Sequence, residues 1–361
     1  MKPLANVRII EIASIGPGPF AAMMLADHGA DVVRIDRPGG AGTGFPLGPH
    51  DPTQRGRRTV ELDLKRSGDR DRALALIERA DALLEGYRPG VMERLGLGPD
   101  ECRARNPRLV FARMTGFGQH GPLAKAAGHD INYIALSGAL HAIGPDRRPM
   151  PPLNLVGDYG GGGMLLLFGL LAALLRARES GEGATVDAAM VDGASLLMAM
   201  PQGLRAAGMW PGKREENLLD GGAPFYRCYR TKDDRWIAIG AIEEPFWREL
   251  RERMSLDDPL YDRRMDPKAW KKIGERLDAE FAQRTRAEWC DLLEGTDVCF
   301  SPVLAMDEVH EHESAAARDA FERKGGVTHP APAPRYDGER EGPAEIDLQP
   351  IAFADALKSW S

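Results

Sequence analysis

Hydrophobic positions in the first third of the chain come in short aliphatic runs separated by stretches of helical periodicity. Residues 7–13 form a β-like run that Ser14-Ile15-Gly16-Pro17-Gly18-Pro19 breaks. Residues 20–29 then have helical character, and 31–36 read as a second strand, so the two strands flank a helix in a βαβ unit. Residues 39–57 are rich in Gly and Pro and read as a surface loop. The pattern resumes with a strand at 59–64, a helix at 69–80, and strands at 82–85 and 109–114. Such alternation predicts a parallel sheet with helices on both faces. Further on, 165–178 is helical, 184–190 strand-like and 191–207 one long helix, before a Gly/Pro-containing connection at 208–224. Beyond it the pattern predicts a hairpin (226–231 and 235–241), helices at 244–254, 268–283 and 286–293, a strand at 298–304, and an extended return at 325–343. The expected class is α/β, with a Rossmann-like parallel-sheet large domain and a smaller α+β domain. We expect the large domain at 1–207, completed by 325–361, a linker at 208–224, and the small domain at 225–324.

Composition narrows the picture. With 361 residues, 43% hydrophobic and 28% charged, the chain suits a soluble protein with a large core. A formal charge of −7 argues against bulk nucleic-acid binding. The four cysteines are scattered without a CxxC, which suits reduced thiols in the cytoplasm. The sequence reaches a strand by Val7 without a cationic-then-apolar leader. Its longest apolar run, about residues 164–175, falls short of the roughly 20 residues a membrane span needs, so a buried helix is expected.

Three stretches carry candidate chemistry. Gly16-Pro17-Gly18-Pro19-Phe20-Ala21 fits the G-x-G-x-x-G/A template, with Asp36 ending the next strand. Pro17 and Pro19, however, delete two N–H groups that should cradle a pyrophosphate, which favours a packing turn over an NAD site. A basic edge follows: Arg34, Arg37, Arg55, Arg57, Arg58, Lys65, Arg66, Arg70 and Arg72, with Arg88 and Arg94 on the next βα connection. Clustered in an acidic protein, these point to a polyanionic small ligand, although most surface charges are merely solvated. Third, Gly128–Tyr133 and Asn154–Gly163 place His129 and Asp158 near two helix starts, the second reached through a glycine turn. Helix starts favour developing negative charge. An ordinary imidazole titrates near neutrality, and a carboxyl raised by burial can supply the opposing proton. Each residue alone also fits a blander role, a core histidine or an aspartate N-cap. Glu243, before a helix, is placed to pair with a histidine or simply to favour that helix start. His310 and His312 lie two apart and would not converge on a metal from one helix face; an exposed acidic helix end is expected there.

Taken together, the chain resembles the alpha-methylacyl-CoA racemase family within the family III CoA transferase superfamily. The resemblance rests on Gly16-Pro17-Gly18-Pro19, residues 30–38, Glu85-Gly86-Tyr87-Arg88-Pro89-Gly90-Val91 and Met114-Thr115-Gly116-Phe117-Gly118-Gln119. Gly128-His129-Asp130-Ile131-Asn132-Tyr133 and residues 154–162 are its most diagnostic parts; residues 187–193 and 219–224 add to it.

The resemblance implies an interlocked homodimer acting in fatty-acid and lipid metabolism on a 2-methyl-branched acyl-CoA. His129 and Asp158 would be bases on opposite sides of C2, interconverting the (2R) and (2S) thioesters through an enolate, with Glu243 as the partner of the histidine. Arg37, Leu62, Leu64, Lys65, Gly86, Tyr87, Arg88 and Arg94 would line the CoA nucleotide site. Gly128, Asp130, Ile131, Asn132 and Tyr133 would hold the pantetheine end and the thioester oxygen. No redox cofactor or metal is implied, since CoA is part of the substrate. Met190, Met198, Met200 and Met209, with Trp210, suit either a deformable acyl surface or ordinary core filling. Within the same superfamily the alternative is a CoA transferase in which Asp158 attacks the thioester.

Overall fold

Six short aliphatic runs pair in the computed structural model into an all-parallel sheet. The strands are β1 (Arg8–Ile12), β2 (Asp31–Asp36), β3 (Arg57–Glu61), β4 (Ala82–Glu85), β5 (Val110–Thr115) and β6 (Thr185–Ala189), ordered β3-β2-β1-β4-β5-β6. The structure describes residues 2–40 and 47–361. Register follows the hydrophobic pattern: Ile9 pairs with Val32 on one side and Ala82 on the other, and Ala82 with Val110. Because both faces are covered, the strands are apolar nearly throughout. On one face Ile9, Val32, Leu84, Val110 and Met114 pack on the helices Pro17–Asp27 and Met164–Ser180. On the other, Ile10, Val33, Leu83 and Phe111 pack on the helix Ser67–Ile77 and on Met92, Leu97 and Cys102. Full burial of each such side chain is worth about 1.5–3 kcal/mol.

The second layer is closed by the far end of the chain. Ala356 and Trp360 are buried in it. Ile351 N–H donates to Thr59 C=O at 2.8 Å, and Trp360 Nε1–H to Asp31 Oδ2 at 2.9 Å.

The chain runs outward from β1 through β2 to β3, then returns to β4 on the other side of β1. Strand order therefore reverses between β1 and β4, and ligands of such sheets bind in the crevice outside the carboxyl ends at that reversal. The loops leaving β1 and β4 meet there, since a Cβ on Gly86 would lie 2.9 Å from Ser14 Cβ.

The predicted α/β class is what is found, with three local differences. Residues 155–163, read as a glycine turn, form a π-helical segment that runs directly into the helix Met164–Ser180. Glycine permits this because the segment is crowded: a Cβ on Gly161 would meet Ala194 N at 2.6 Å, and one on Gly193 would meet Gly161 O at 1.8 Å. The combined helix, Leu155–Ser180, spans 26 residues and is long and apolar enough to cross a membrane, yet nearly half of its apolar window is buried inside the fold. The expected helix over 191–207 is two, Met190–Leu197 and Ala199–Ala206. His310 and His312 lie in turns before the helix Glu313–Ala317, and His312 Nε2 is 2.8 Å from Glu294 Oε1.

The smaller unit has its own core. β7 (Tyr226–Arg230), β8 (Trp236–Gly240) and β9 (Phe300–Pro302) form an antiparallel sheet. Phe225, Tyr229, Trp247, Ile273, Phe281 and Trp289 pack between it and the helices Glu244–Met254, Pro267–Phe281 and Arg286–Leu293. The boundaries differ from those expected. The larger unit comprises 1–137, 152–197 and 313–361, and the smaller one 138–151 and 198–312. A linker inferred from lost periodicity at 208–224 marks irregular chain, whereas the units follow contacts.

Candidate active site

His129 and Asp158 both belong to the larger unit. His129 is the N-cap of the helix Asp130–Leu136, and its N–H donates to Asn132 Oδ1 at 3.0 Å. Tyr133 O–H, one residue further on, donates to Gly128 C=O at 2.5 Å. Two consecutive helix residues thus pin the peptide units flanking the histidine, while His129 itself is exposed.

Asp158 lies in the first turn of the π-helical segment and is partly buried. Its N–H donates to Asp130 Oδ1 at 2.7 Å, which ties this segment to the helix that starts at His129. Its Oδ2 accepts a hydrogen bond from Asn154 Nδ2 at 3.3 Å. The same oxygen would be 3.3 Å from a Cβ on Gly16, whose φ of +67° glycine tolerates best. Asp158 therefore stands at the loop leaving β1, at the reversal of strand order. Burial pushes its carboxyl above the ordinary range; the Asn154 hydrogen bond pulls it down, Asp130 pushes it up, and the charge of His129 pulls it down. His129 and Asp158 are thus carried on two segments joined by the Asp158 N–H to Asp130 hydrogen bond.

The Gly16 turn serves this packing. Pro17 is the first residue of its helix, and a Cβ on Gly18 would lie 2.4 Å from Ser14 Oγ. Such a turn has little room to approach a pyrophosphate.

The basic edge sorts into three groups, of which one, Arg66, Arg70 and Arg72, pairs near the surface with Asp63, Asp71 and Asp69. Arg55 pairs with Asp27, Arg57 with Glu11 and Arg34 with Asp36, all at least largely buried, and Arg58 pairs with Asp31. These hold the sheet together and correct the expectation that the whole cluster faces a ligand. Arg37, Lys65, Arg88 and Arg94, by contrast, are exposed and have no ion pair among the described residues. Tyr87 lies among them: burial raises its phenol, Asp36 and Glu85 raise it further, and Arg37 and Arg34 lower it. Arg88 in turn acts on Tyr133, whose phenol is pushed up to about 12 by burial, Asp158 and Asp130. A path of free cations and half-buried tyrosines therefore runs along the carboxyl edge to His129 and Asp158.

Other expected residues fall elsewhere. Leu62 is buried in the core, so its side chain does not line the edge; Leu64 is half-buried against that core. Met190 is likewise core, while Met200 and Met209 are exposed. Ile131 and Asn132 are exposed beside His129. Glu243 belongs to the smaller unit, exposed at the N-cap of the helix Glu244–Met254. Asn154 was not singled out from the sequence, although its place four residues before Asp158 puts both on one helical face.

The sequence profile of CoA-transferase family III matches residues 4–350. The chain belongs to CoA-transferase family III. Among curated members of that family, alpha-methylacyl-CoA racemase of Mus musculus is 42% identical over 333 residues, covering 92% of this chain and 86% of the relative. The Homo sapiens protein of the same name is 42% identical over 319 residues, covering 88% and 82%. A crystal structure of Rv3272 from M. tuberculosis superposes with a TM-score of 0.78 at 28% identity, covering 98% of each chain. The CoA-transferase family III fold thus accounts for the six-stranded sheet and the small antiparallel one together.

Proposed function

We propose that this protein is a racemase that interconverts the (2R) and (2S) forms of 2-methyl-branched acyl-CoA thioesters. What supports the reading is that His129 caps the helix that Asp130 begins and Asp130 accepts the N–H of Asp158, so the imidazole and the carboxyl belong to two directly hydrogen-bonded segments. Relatives at 42% identity that bear the racemase name support the same reaction. One member of the pair removes the C2 proton from one face, leaving a planar enolate, and the other returns a proton to the opposite face. No electrons or groups are exchanged, so the chemistry calls for no redox cofactor. In the first turn of the helix Asp130–Leu136, Asn132 and Tyr133 N–H already donate to His129 C=O, which leaves the main-chain N–H groups of Asp130 and Ile131 to suit the enolate oxygen. The free cations Arg37, Lys65, Arg88 and Arg94 would take the phosphates and adenine of CoA.

A homodimer fits the same reading. Met164, Phe168 and Leu175 lie on one face of the helix Met164–Ser180 and are 46%, 74% and 68% exposed, while Leu166, Leu170 and Leu174 opposite are buried. An apolar helix with a bare face of this kind is normally covered. We assign that cover to a second, interlocked copy, with Glu243 supplied as the partner of His129 within or across the pair.

The test is incubation of a 2-methylacyl-CoA with the enzyme in heavy water. Deuterium entering C2 with loss of configuration is expected. Movement of CoA to an added carboxylate without exchange would instead establish Asp158 as a nucleophile.

A further inference from the structure

Asp130 connects the two proton carriers. It follows His129 directly and is 6% exposed. One of its oxygens accepts the N–H of Asp158; the other, Oδ2, is buried without a hydrogen-bond donor among the described residues. The approach is so close that a Cβ on Gly157 would lie 2.5 Å from Asp130 Oδ1. No ion pair to Asp130 is found among the described residues, so its charge is compensated mainly by one main-chain dipole.

We propose that Asp130 is a positioning residue that fixes the Asp158 main chain and, through a carboxylate with no ion-pair partner among the described residues, sets how tightly Asp158 holds its proton. The proposal extends the racemase reading and rests on it. Two carboxylates sharing a site disfavour double ionisation, so a fixed charge on Asp130 favours the protonated form of Asp158. The other groups facing Asp158 are few. Asn154 donates to it from its own segment, and His129 and the Tyr133 phenol act from the helix that Asp130 begins. The loop leaving β1 brings the uncharged Ser14 and Gly16, and the helix Met190–Leu197 brings Asp192, which is exposed. Asp130 is therefore the negative group in direct contact.

The experiment compares the wild type with Asp130→Asn, which keeps an oxygen acceptor for the Asp158 N–H while removing the charge. In profiles of kcat/KM for C2 exchange, the acid limb should move to lower pH by about half a unit or more. Asp130→Ala removes the acceptor as well and should slow exchange at least about tenfold further. Asp130→Ser, neutral but still able to accept, gives an independent second measure should the asparagine variant fold poorly. A carbon-detected NMR titration of the Asp158 carboxyl reads the same shift without turnover. An active wild type whose profile and titration are unmoved in both neutral variants overturns the role of Asp130. Absence of exchange in the wild type, with the Asp158 titration still shifted, overturns the racemase reading instead.

Discussion

Arg113 Nε donates to Glu85 Oε1 at 3.0 Å, while its two terminal nitrogens reach Glu93 at 2.8 and 3.2 Å. Glu85 Oε2 simultaneously accepts the N–H of Tyr87 at 2.6 Å. One buried guanidinium thus holds both ends of the βα connection that carries Arg88. Burial pushes the Glu85 carboxyl up to about 7, outweighing the pull of the Tyr87 N–H and of Arg113. Folded Glu85 therefore keeps its proton more tightly than the unfolded chain does. Its contribution to stability is full below about pH 4.5 and is lost as the pH rises through about 7. Arg113→Met leaves a buried carboxyl unpaired and should cost about 3–5 kcal/mol. Urea unfolding should show a larger loss at pH 8 than at pH 5.5; an equal loss at both would exclude an ionised Glu85 as the cause.

Arg88 is expected to act on binding rather than on chemistry. It is exposed, has no carboxylate partner among the described residues, and lies on the turn that Glu85 anchors. Arg88→Ala should raise KM for CoA esters about tenfold with kcat little changed, a loss of roughly 1.4 kcal/mol of charge-assisted contact. A fall in kcat at constant KM would place Arg88 with the proton-transfer groups instead.

His129→Ala and Asp158→Asn should each slow racemisation by about 10²–10⁴-fold, the usual worth of a positioned acid or base. CoA affinity should be nearly intact in both. Calorimetric titration with a CoA ester alongside the exchange assay separates the two effects. Near-normal turnover in either variant would remove that residue from the mechanism.

Asn154→Ala provides a pH shift of opposite sign to that expected for Asp130→Asn. The amide stabilises the ionised Asp158 and so lowers its pKa. Without it the carboxyl holds its proton to higher pH, and the acid limb of the exchange profile should move upward. A downward movement would show that the amide acts on Asp158 through geometry alone.

The first five strands were legible because each element there repeats a simple period: aliphatic runs for strands buried on both faces, helical spacing between them. The glycines at 160–163 misled because glycine reads as a turn locally, while here it allows two helices to approach at Gly161 and Gly193. That requirement is tertiary and leaves no mark on the local pattern. For the same reason Arg55 and Arg57 looked like ligand-binding charges: their partners, Asp27 and Glu11, are 28 and 46 residues away in sequence. His129 and Asp158 were legible as chemistry. Their connection through Asp130 was not, because it depends on a side-chain carboxylate accepting a main-chain N–H from a segment 28 residues away.

The place of Trp360, buried against β2 and β3 at the far end of the chain, bears on how the protein is made. During synthesis the parallel sheet leaves the ribosome long before the segment that covers one side of it. Until residues 351–360 emerge, Val33, Ile35 and Val60 lack part of their cover. The nascent chain must therefore stay partly open until then, and substitutions that displace residues 351–360 should be felt first as failed expression rather than as lost activity.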